Sequence, residues 1–269
     1  MFPTMLIIFR EILEVSIIIG MVMASINGVA KKNRLIIYGI CIGVLSSILV
    51  GVFIDYFANS LNGKGIEIFN ASILTLAIIM ITWTIIWMKR NAKMFGRKIK
   101  EIGQGVKVGE ISVFTLVSII ALAVLREGSE VVIFIYGLIA SSDISMFDII
   151  CGSIIGIMNG SFIGVLLYFG FMRIPTKYFF IVSSFVLSLL AAGMASQLTI
   201  YLSQLGIIND SSVILWDSSR FLSNQSIFGK MLVTLIGYND SPTPMQLIFY
   251  IFTFGMITSL SLIFNKKNS

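Results

Sequence analysis

Two segments of the chain share a charged motif: REILEVSIIIGMVMASI at residues 10–26 and REGSEVVIFIYGLIASS at residues 126–142. Aligned on Arg10 and Arg126, they are identical at eight of 17 positions. Both place one Arg and two Glu, in the pattern R-E-x-x-E, inside a long apolar run. Chance similarity between apolar helices explains shared Ile and Val, but it explains three shared charges poorly. The chain therefore contains an internal repeat.

The composition is that of a membrane protein. Of the 269 residues, 57% are hydrophobic and only 12% are charged, whereas a soluble domain has about 25% charged residues. Apolar runs of about 20 residues recur along the chain, which predicts an all-α polytopic membrane protein. We expect one transmembrane domain over residues 1–269, and neither a soluble enzyme nor a disordered chain. The net charge of +6 is better explained by membrane topology than by nucleic-acid binding.

The residues available for chemistry are limited. The chain has no histidine, which excludes His-based zinc sites, His-ligated haem and Ser-His-Asp triads. The two cysteines, Cys41 and Cys151, lie in apolar stretches without a CxxC pattern and are expected to be small buried hydrophobes. Any site must therefore use carboxylates, hydroxyls, amides, Arg or Met.

Seven apolar segments are predicted to span the membrane. The first lacks a basic leader and a cleavage pattern, so we expect it to be retained. The predicted spans are residues 4–29, 35–57, 66–88, 111–140, 146–171, 178–202 and 246–264.

Lysine and arginine indicate the orientation. The loops after spans one, three and five and the C-terminal tail hold 14 of these residues, and the alternate loops hold three. Because cytoplasmic loops are enriched in Lys and Arg, the N-terminus is predicted outside and the C-terminus in the cytoplasm. The expected location is the cell membrane, as a multi-pass protein of the bacterial cytoplasmic membrane.

The repeat divides the chain into two inverted three-helix units. Repeat one covers about 4–88 and repeat two about 111–202; because each has three spans, the two must be oppositely oriented, as in many secondary transporters. A seventh helix follows at about 246–264, after an outer loop at about 203–245 that is apolar enough for a short interfacial or re-entrant helix. The basic loop 89–107 is expected to contact anionic lipid.

A shared glycine frame supports the repeat. Gly39, Gly43 and Gly51 of span two match Gly152, Gly156 and Gly164 of span five. Glycine at such spacings lets helices approach closely. Gly128, which replaces Ile12 in the second copy, is expected either to loosen span four or to allow close packing.

The charged residues of each motif share one helix face. With about 100° per residue, the second Glu lies about 40° from the Arg and the first Glu about 100° from it. Six charges in the membrane interior would cost on the order of 15–20 kcal/mol on insertion scales. This face therefore cannot point to lipid, and pairing, water or a bound ion must offset the cost.

The charges do not balance internally. Four Glu and two Arg sum to −2 when all are ionised, so either some Glu are protonated or a cation completes the cluster. An all-oxygen cage suits hard cations such as Fe³⁺. A purely structural ion-pair network is the alternative. Gln197 and Ser129 are candidate accessory oxygen ligands, and Trp83 and Trp87 are expected interfacial anchors.

The motif pair resembles the oxidase-dependent iron permease family, which includes the fungal high-affinity iron permease and its bacterial counterparts. Three further stretches carry the resemblance: AAGMASQ at 191–197, VILWDSSRFLS at 213–223 and GYNDSPTPMQLIFYI at 237–251.

The resemblance implies import of iron, usually Fe³⁺ produced by a partner oxidase or supplied by an extracytoplasmic iron-delivery protein. Iron is then the transported substrate, and no resident cofactor is expected. The implied metal ligands are Glu11, Glu14, Glu127 and Glu130, and Arg10 and Arg126 form supporting ion pairs. The acidic outer motif of the fungal proteins has no clean copy, and its candidates are Asp210, Asp217 and Asp240.

Other functions fit the same residues. A carrier for another metal, such as Mn²⁺ or Pb²⁺, or a proton-coupled carrier is in the same class. A membrane-embedded metal sensor would bind without flux, and a metal-dependent intramembrane enzyme is disfavoured by the absence of His. The oligomeric state is not determined by the sequence.

Overall fold

The computed structural model describes residues 1–26, 32–60, 64–108, 110–142, 144–169, 176–209 and 213–266. Within these ranges the chain is helical, with eight helices and no strand. The helices are α1 (Phe2–Ser25), α2 (Lys32–Ser60), α3 (Lys64–Val108), α4 (Val113–Ser141), α5 (Met146–Tyr168), α6 (Thr176–Gln204), α7 (Ile227–Ile236) and α8 (Pro244–Lys266).

Five of the described helices are long and apolar enough to cross a membrane. These spans are Asn33–Ala58, Gly65–Trp87, Met146–Leu166, Ile181–Gln204 and Pro244–Ile263. The two remaining long helices are α1 and α4, which each carry an R-E-x-x-E motif and therefore three charges. Every predicted span thus lies on a long helix, and the two outside the apolar set are the two that hold the charged cluster.

The segment 89–107 is helical and not a loop. α3 continues to Val108 and has 45 residues, so it is about 68 Å long at about 1.5 Å per residue. That is about twice the hydrocarbon thickness of about 30 Å. The apolar part ends at Trp87, and the basic part continues the same helix because it contains no proline to stop it.

α1 packs along α5 through a row of small residues. At four glycines of α5, one turn apart, an added Cβ would lie 2.9 Å or less from an atom of α1. The residue numbers of the paired positions rise together along α1 and α5, so the two helices are parallel. The pairs are Gly152 with Thr4, Gly156 with Ile8, Gly160 with Ile12 and Gly164 with Ser16.

α2 packs along α4 in the matching way. Four pairs of residues form this contact, and in three of them the small residue is a glycine of α2. In the fourth pair it is Gly128 of α4, where an added Cβ would collide with Ser47. Gly128 therefore allows close packing. The pairs, which are the repeat equivalents of those between α1 and α5, are Gly39 with Ile120, Gly43 with Val124, Ser47 with Gly128 and Gly51 with Val132.

The stretch 203–245 contains the short helix α7. The Ser226 side chain caps its first turn by accepting a hydrogen bond from the Gly229 amide, and Gly237 ends it in the left-handed region at φ 67°. Gly237 lies so close to Gly193 of α6 that neither position has room for a Cβ. This contact places α7 against α6.

Some residues used in the sequence analysis lie outside the described ranges. They are Lys31, Arg173 and Lys267, which contribute to the basic asymmetry, and the outer acidic candidate Asp210.

Substitution of Gly156 by Ala is expected to destabilise the protein by about 1–3 kcal/mol. The new Cβ would lie 2.8 Å from the backbone oxygen of Met5, so α1 and α5 would have to separate. Gly255→Ala is the control, because no atom lies within 4 Å of a Cβ there. Thermal unfolding in detergent compares the two variants, and equal stability would contradict the proposed packing of α1 on α5.

Candidate metal centre

The two motifs meet in the interior of the bundle. α1 carries Arg10, Glu11 and Glu14, and α4 carries the equivalent residues Arg126, Glu127 and Glu130. The four glutamates and Arg10 are only 1–4% exposed. The motif faces are therefore turned inward, away from the acyl chains.

Three of the glutamates converge. One carboxylate oxygen each of Glu11, Glu14 and Glu127 lies within 4.8 Å of the other two. Hard cations bind carboxylate oxygens at about 2.0–2.6 Å, so ligands on opposite sides of such a cation lie about 4–5 Å apart. We call these three residues the glutamate triad.

The triad has spare ligand capacity. Oε2 of Glu11 and Oε2 of Glu127 are buried and accept no hydrogen bond within the described residues. Buried carboxylate oxygens without partners are costly. A cation between the two helices would supply the missing partner.

Arg10 holds two members of the triad. Its Nη1 lies 2.6 Å from Oε1 of Glu11, and its Nη2 lies 2.6 Å from Oε1 of Glu14. The planar guanidinium can bridge two carboxylates in this way because its nitrogens form a rigid fork. Arg10 therefore fixes the spacing of the two α1 ligands and offsets one of their charges.

Glu130 is not one of the three converging glutamates. Its Oε1 accepts a hydrogen bond from Nε of Arg126 at 3.0 Å, and its Oε2 accepts one from the Thr84 hydroxyl at 2.7 Å. The Arg126 guanidinium lies 4.3 Å from the centre of the Trp87 ring. Thr84 and Trp87 both belong to α3, so a third helix contributes to the charged cluster.

The two accessory ligands predicted from sequence are not in the triad. The Ser129 hydroxyl donates to the Leu125 carbonyl of its own helix at 2.7 Å. Gln197 lines a small cavity between α4, α6 and α7, and none of the four motif glutamates lines that cavity.

Sequence reasoning missed Thr84 and the contact between Trp87 and Arg126. Thr84 is 46 residues from Glu130, and nothing distinguishes it in sequence from nearby Thr82, whose hydroxyl bonds the Ile78 carbonyl of its own helix. Trp83 is 65% exposed, as an anchor in the bilayer would be. Trp87, also expected to be an interfacial anchor, is partly exposed and contacts Arg126 as well.

The described outer acidic candidates differ in their environment. Asp240 accepts hydrogen bonds from Asn224 and Ser241, which hold the loop together. Asp217 is exposed, and hydrogen bonds from Ser219 lower the pKa of its carboxyl. Of these two, Asp217 is the more exposed, and a role for it in capturing an ion stays a prediction.

Comparison with known proteins places the chain in a family. The profile of the iron permease FTR1 family matches residues 1–265. The chain is 26% identical over 252 residues to a ferrous iron permease, EfeU, of Escherichia coli O6:H1, covering 90% of this chain and 88% of the relative. It is 25% identical over 272 residues to EfeU of Shigella sonnei, covering 97% and 96%. No solved structure is significantly similar.

These relatives are permeases, which are transporters and not enzymes. The family match and the apolar helices identify a multi-pass membrane protein, consistent with a bacterial cell membrane. The match extends over nearly the whole chain and includes both charged motifs. The protein therefore belongs to the iron permease FTR1 family.

Proposed function

We propose that this protein imports iron across the cytoplasmic membrane by binding the ion at the glutamate triad. The observation that carries the proposal is that three buried carboxylates, two from α1 and one from α4, lie within 4.8 Å of one another. The two helices belong to different repeats, and transporters with inverted repeats bind substrate where the repeats meet.

The net charge of the cluster favours a divalent ion. Four ionised glutamates and two arginines sum to −2, which Fe²⁺ would neutralise. The EfeU relatives are named as ferrous iron permeases. We therefore propose Fe²⁺ as the ion that occupies the triad.

Fe³⁺ supplied by a partner oxidase is the second candidate. The ligand set is entirely oxygen, which suits a hard trivalent ion. Binding Fe³⁺ with all four glutamates ionised would leave one uncompensated positive charge in the bundle. Supplying Fe²⁺ and Fe³⁺ separately to proteoliposomes tests the two candidates, and supplying Mn²⁺ and Pb²⁺ tests carriers for other metals.

Helix directions support seven spans and two inverted repeats. The contacts above make α1 parallel to α5 and α2 parallel to α4. Thr84 with Glu130 and Ala77 with Gly137 make α3 antiparallel to α4. These three relative directions are the ones expected if successive long helices cross a membrane in alternating directions. With the basic loops inside, the N-terminus is outside and the C-terminus cytoplasmic.

The proposed cycle is alternating access. The ion enters from outside, binds between α1 and α4, and leaves when the repeats rock against each other. A sensor would bind iron without carrying it into liposomes. An enzyme would turn over a substrate without net iron flux.

Replacing Glu11, Glu14 or Glu127 with Gln is expected to weaken iron binding on the order of 100-fold, because each change removes a charged ligand. Radioactive iron uptake should fall accordingly while the protein still reaches the membrane. Glu101→Gln, at an exposed position of α3, is the control. Uptake at the control rate by a triad variant would refute the site.

Arg10→Lys is expected to weaken iron binding by about 10–100-fold, the usual effect of losing a group that orients metal ligands. A single ammonium cannot hold Glu11 and Glu14 in the geometry of the guanidinium fork. Equilibrium dialysis of the purified variant with iron measures the change. Wild-type affinity in Arg10→Lys would show that the fork is not needed.

A further inference from the structure

Glu130 has a different environment from its repeat equivalent, Glu14. Glu14 belongs to the triad. Glu130 is equally buried, but Thr84 and Arg126 bind its two oxygens. The symmetric sequence motif therefore gives two unlike carboxylates, one inside the triad and one beside it.

The two arginines of the motifs also have different environments. Arg10 is 3% exposed and forms ion pairs with two carboxylates through its two terminal nitrogens. Arg126 is 34% exposed, and its Nε lies 3.0 Å from Glu130 and 3.8 Å from Glu127. Each arginine has one nitrogen without a hydrogen-bond partner among the described residues, Nε of Arg10 and Nη2 of Arg126. Arg126 is thus the more exposed of the two.

Arg126 lies on the side of Glu130 toward the basic end of α3. Because α3 and α4 are antiparallel, Trp87 and Arg126 both lie toward the end from which the basic part of α3 extends. Enrichment in Lys and Arg marks the cytoplasmic side. Arg126 therefore lies on the predicted cytoplasmic side of Glu130, whereas Arg10 is buried within the cluster.

We propose that Glu130 and Thr84 form a second, exit-side oxygen subsite for the metal cation, and that Arg126, resting on Trp87, is its gate. This inference rests on the proposed function. A cation leaving the triad would take the carboxylate of Glu130 and the hydroxyl oxygen of Thr84 as ligands. Arg126 would then release Glu130, because a cation and a guanidinium compete for the same carboxylate.

Trp87 makes this exchange feasible. A guanidinium over an indole ring keeps a favourable cation–π contact, so Arg126 has a partner after it leaves Glu130. The lone pairs of the Thr84 hydroxyl let it switch from donor to Glu130 to ligand of the cation. The triad captures the ion, and the α3 side chains let it leave.

The variants Thr84→Val and Trp87→Leu test the subsite. Two neighbours on α3 give matched controls: Thr82→Val removes a hydroxyl that bonds only its own helix, and Trp83→Leu removes an exposed indole. Thr84→Ser keeps the hydroxyl and Trp87→Phe keeps an aromatic face. Each purified variant is assayed for equilibrium binding of Fe²⁺ and for initial Fe²⁺ influx into proteoliposomes.

Thr84→Val and Trp87→Leu should bind Fe²⁺ within about threefold of wild type, yet their influx should be about tenfold slower. The controls, Thr84→Ser and Trp87→Phe should transport at close to the wild-type rate. The proposal is overturned if Thr84→Val and Trp87→Leu transport normally, or if they lose binding and influx in parallel. A wild-type protein that neither binds nor transports iron would instead overturn the proposed function.

Discussion

The structure depends on how six charged side chains are accommodated inside an apolar bundle. Each would cost roughly 2.5–3.5 kcal/mol at the membrane centre if it were unpaired. Arg10 and Arg126 offset part of this cost by pairing with glutamates of their own helices. Because four glutamates outnumber two arginines, the cluster is electrically neutral only if a cation binds or some of the glutamates are protonated. A site that needs a cation for neutrality is a natural ion-binding site.

The packing of the helices orients the charged faces that form this cluster. Rows of glycine bring α5 against α1 and α2 against α4 in equivalent registers. These close contacts cover the outer sides of the two motif helices, so their charged faces turn toward each other. The duplication also explains why one site is built from two copies of one motif. The copies are not identical in environment, because α3 supplies Thr84 and Trp87 to the second copy.

Much of the fold follows from sequence because the bilayer restricts it. Apolar runs of about 20 residues have to be helices, and the angles between Arg10, Glu11 and Glu14 place all three on one inward face. The charges of segment 89–107 mark the membrane boundary and predict a loop there. That prediction is wrong because charge does not end a helix. The apolar residues of segment 203–245 predict the short helix α7, which the structure contains.

The finer features of the site depend on contacts between distant residues. Thr84 meets Glu130 only because α3 lies beside α4, and no local pattern encodes that neighbour. Gln197 lines a small cavity between α4, α6 and α7, and its role as an accessory ligand stays a prediction. The sequence singled out all four glutamates, but it could not show that three of them converge while Thr84 and Arg126 bind the fourth.

If the triad holds the transported ion, iron should be visible there in a crystal of the protein grown with iron. Anomalous scattering should show an iron peak bounded by carboxylate oxygens of Glu11, Glu14 and Glu127. An iron peak elsewhere in the bundle, or three triad side chains turned away from one another, would contradict it.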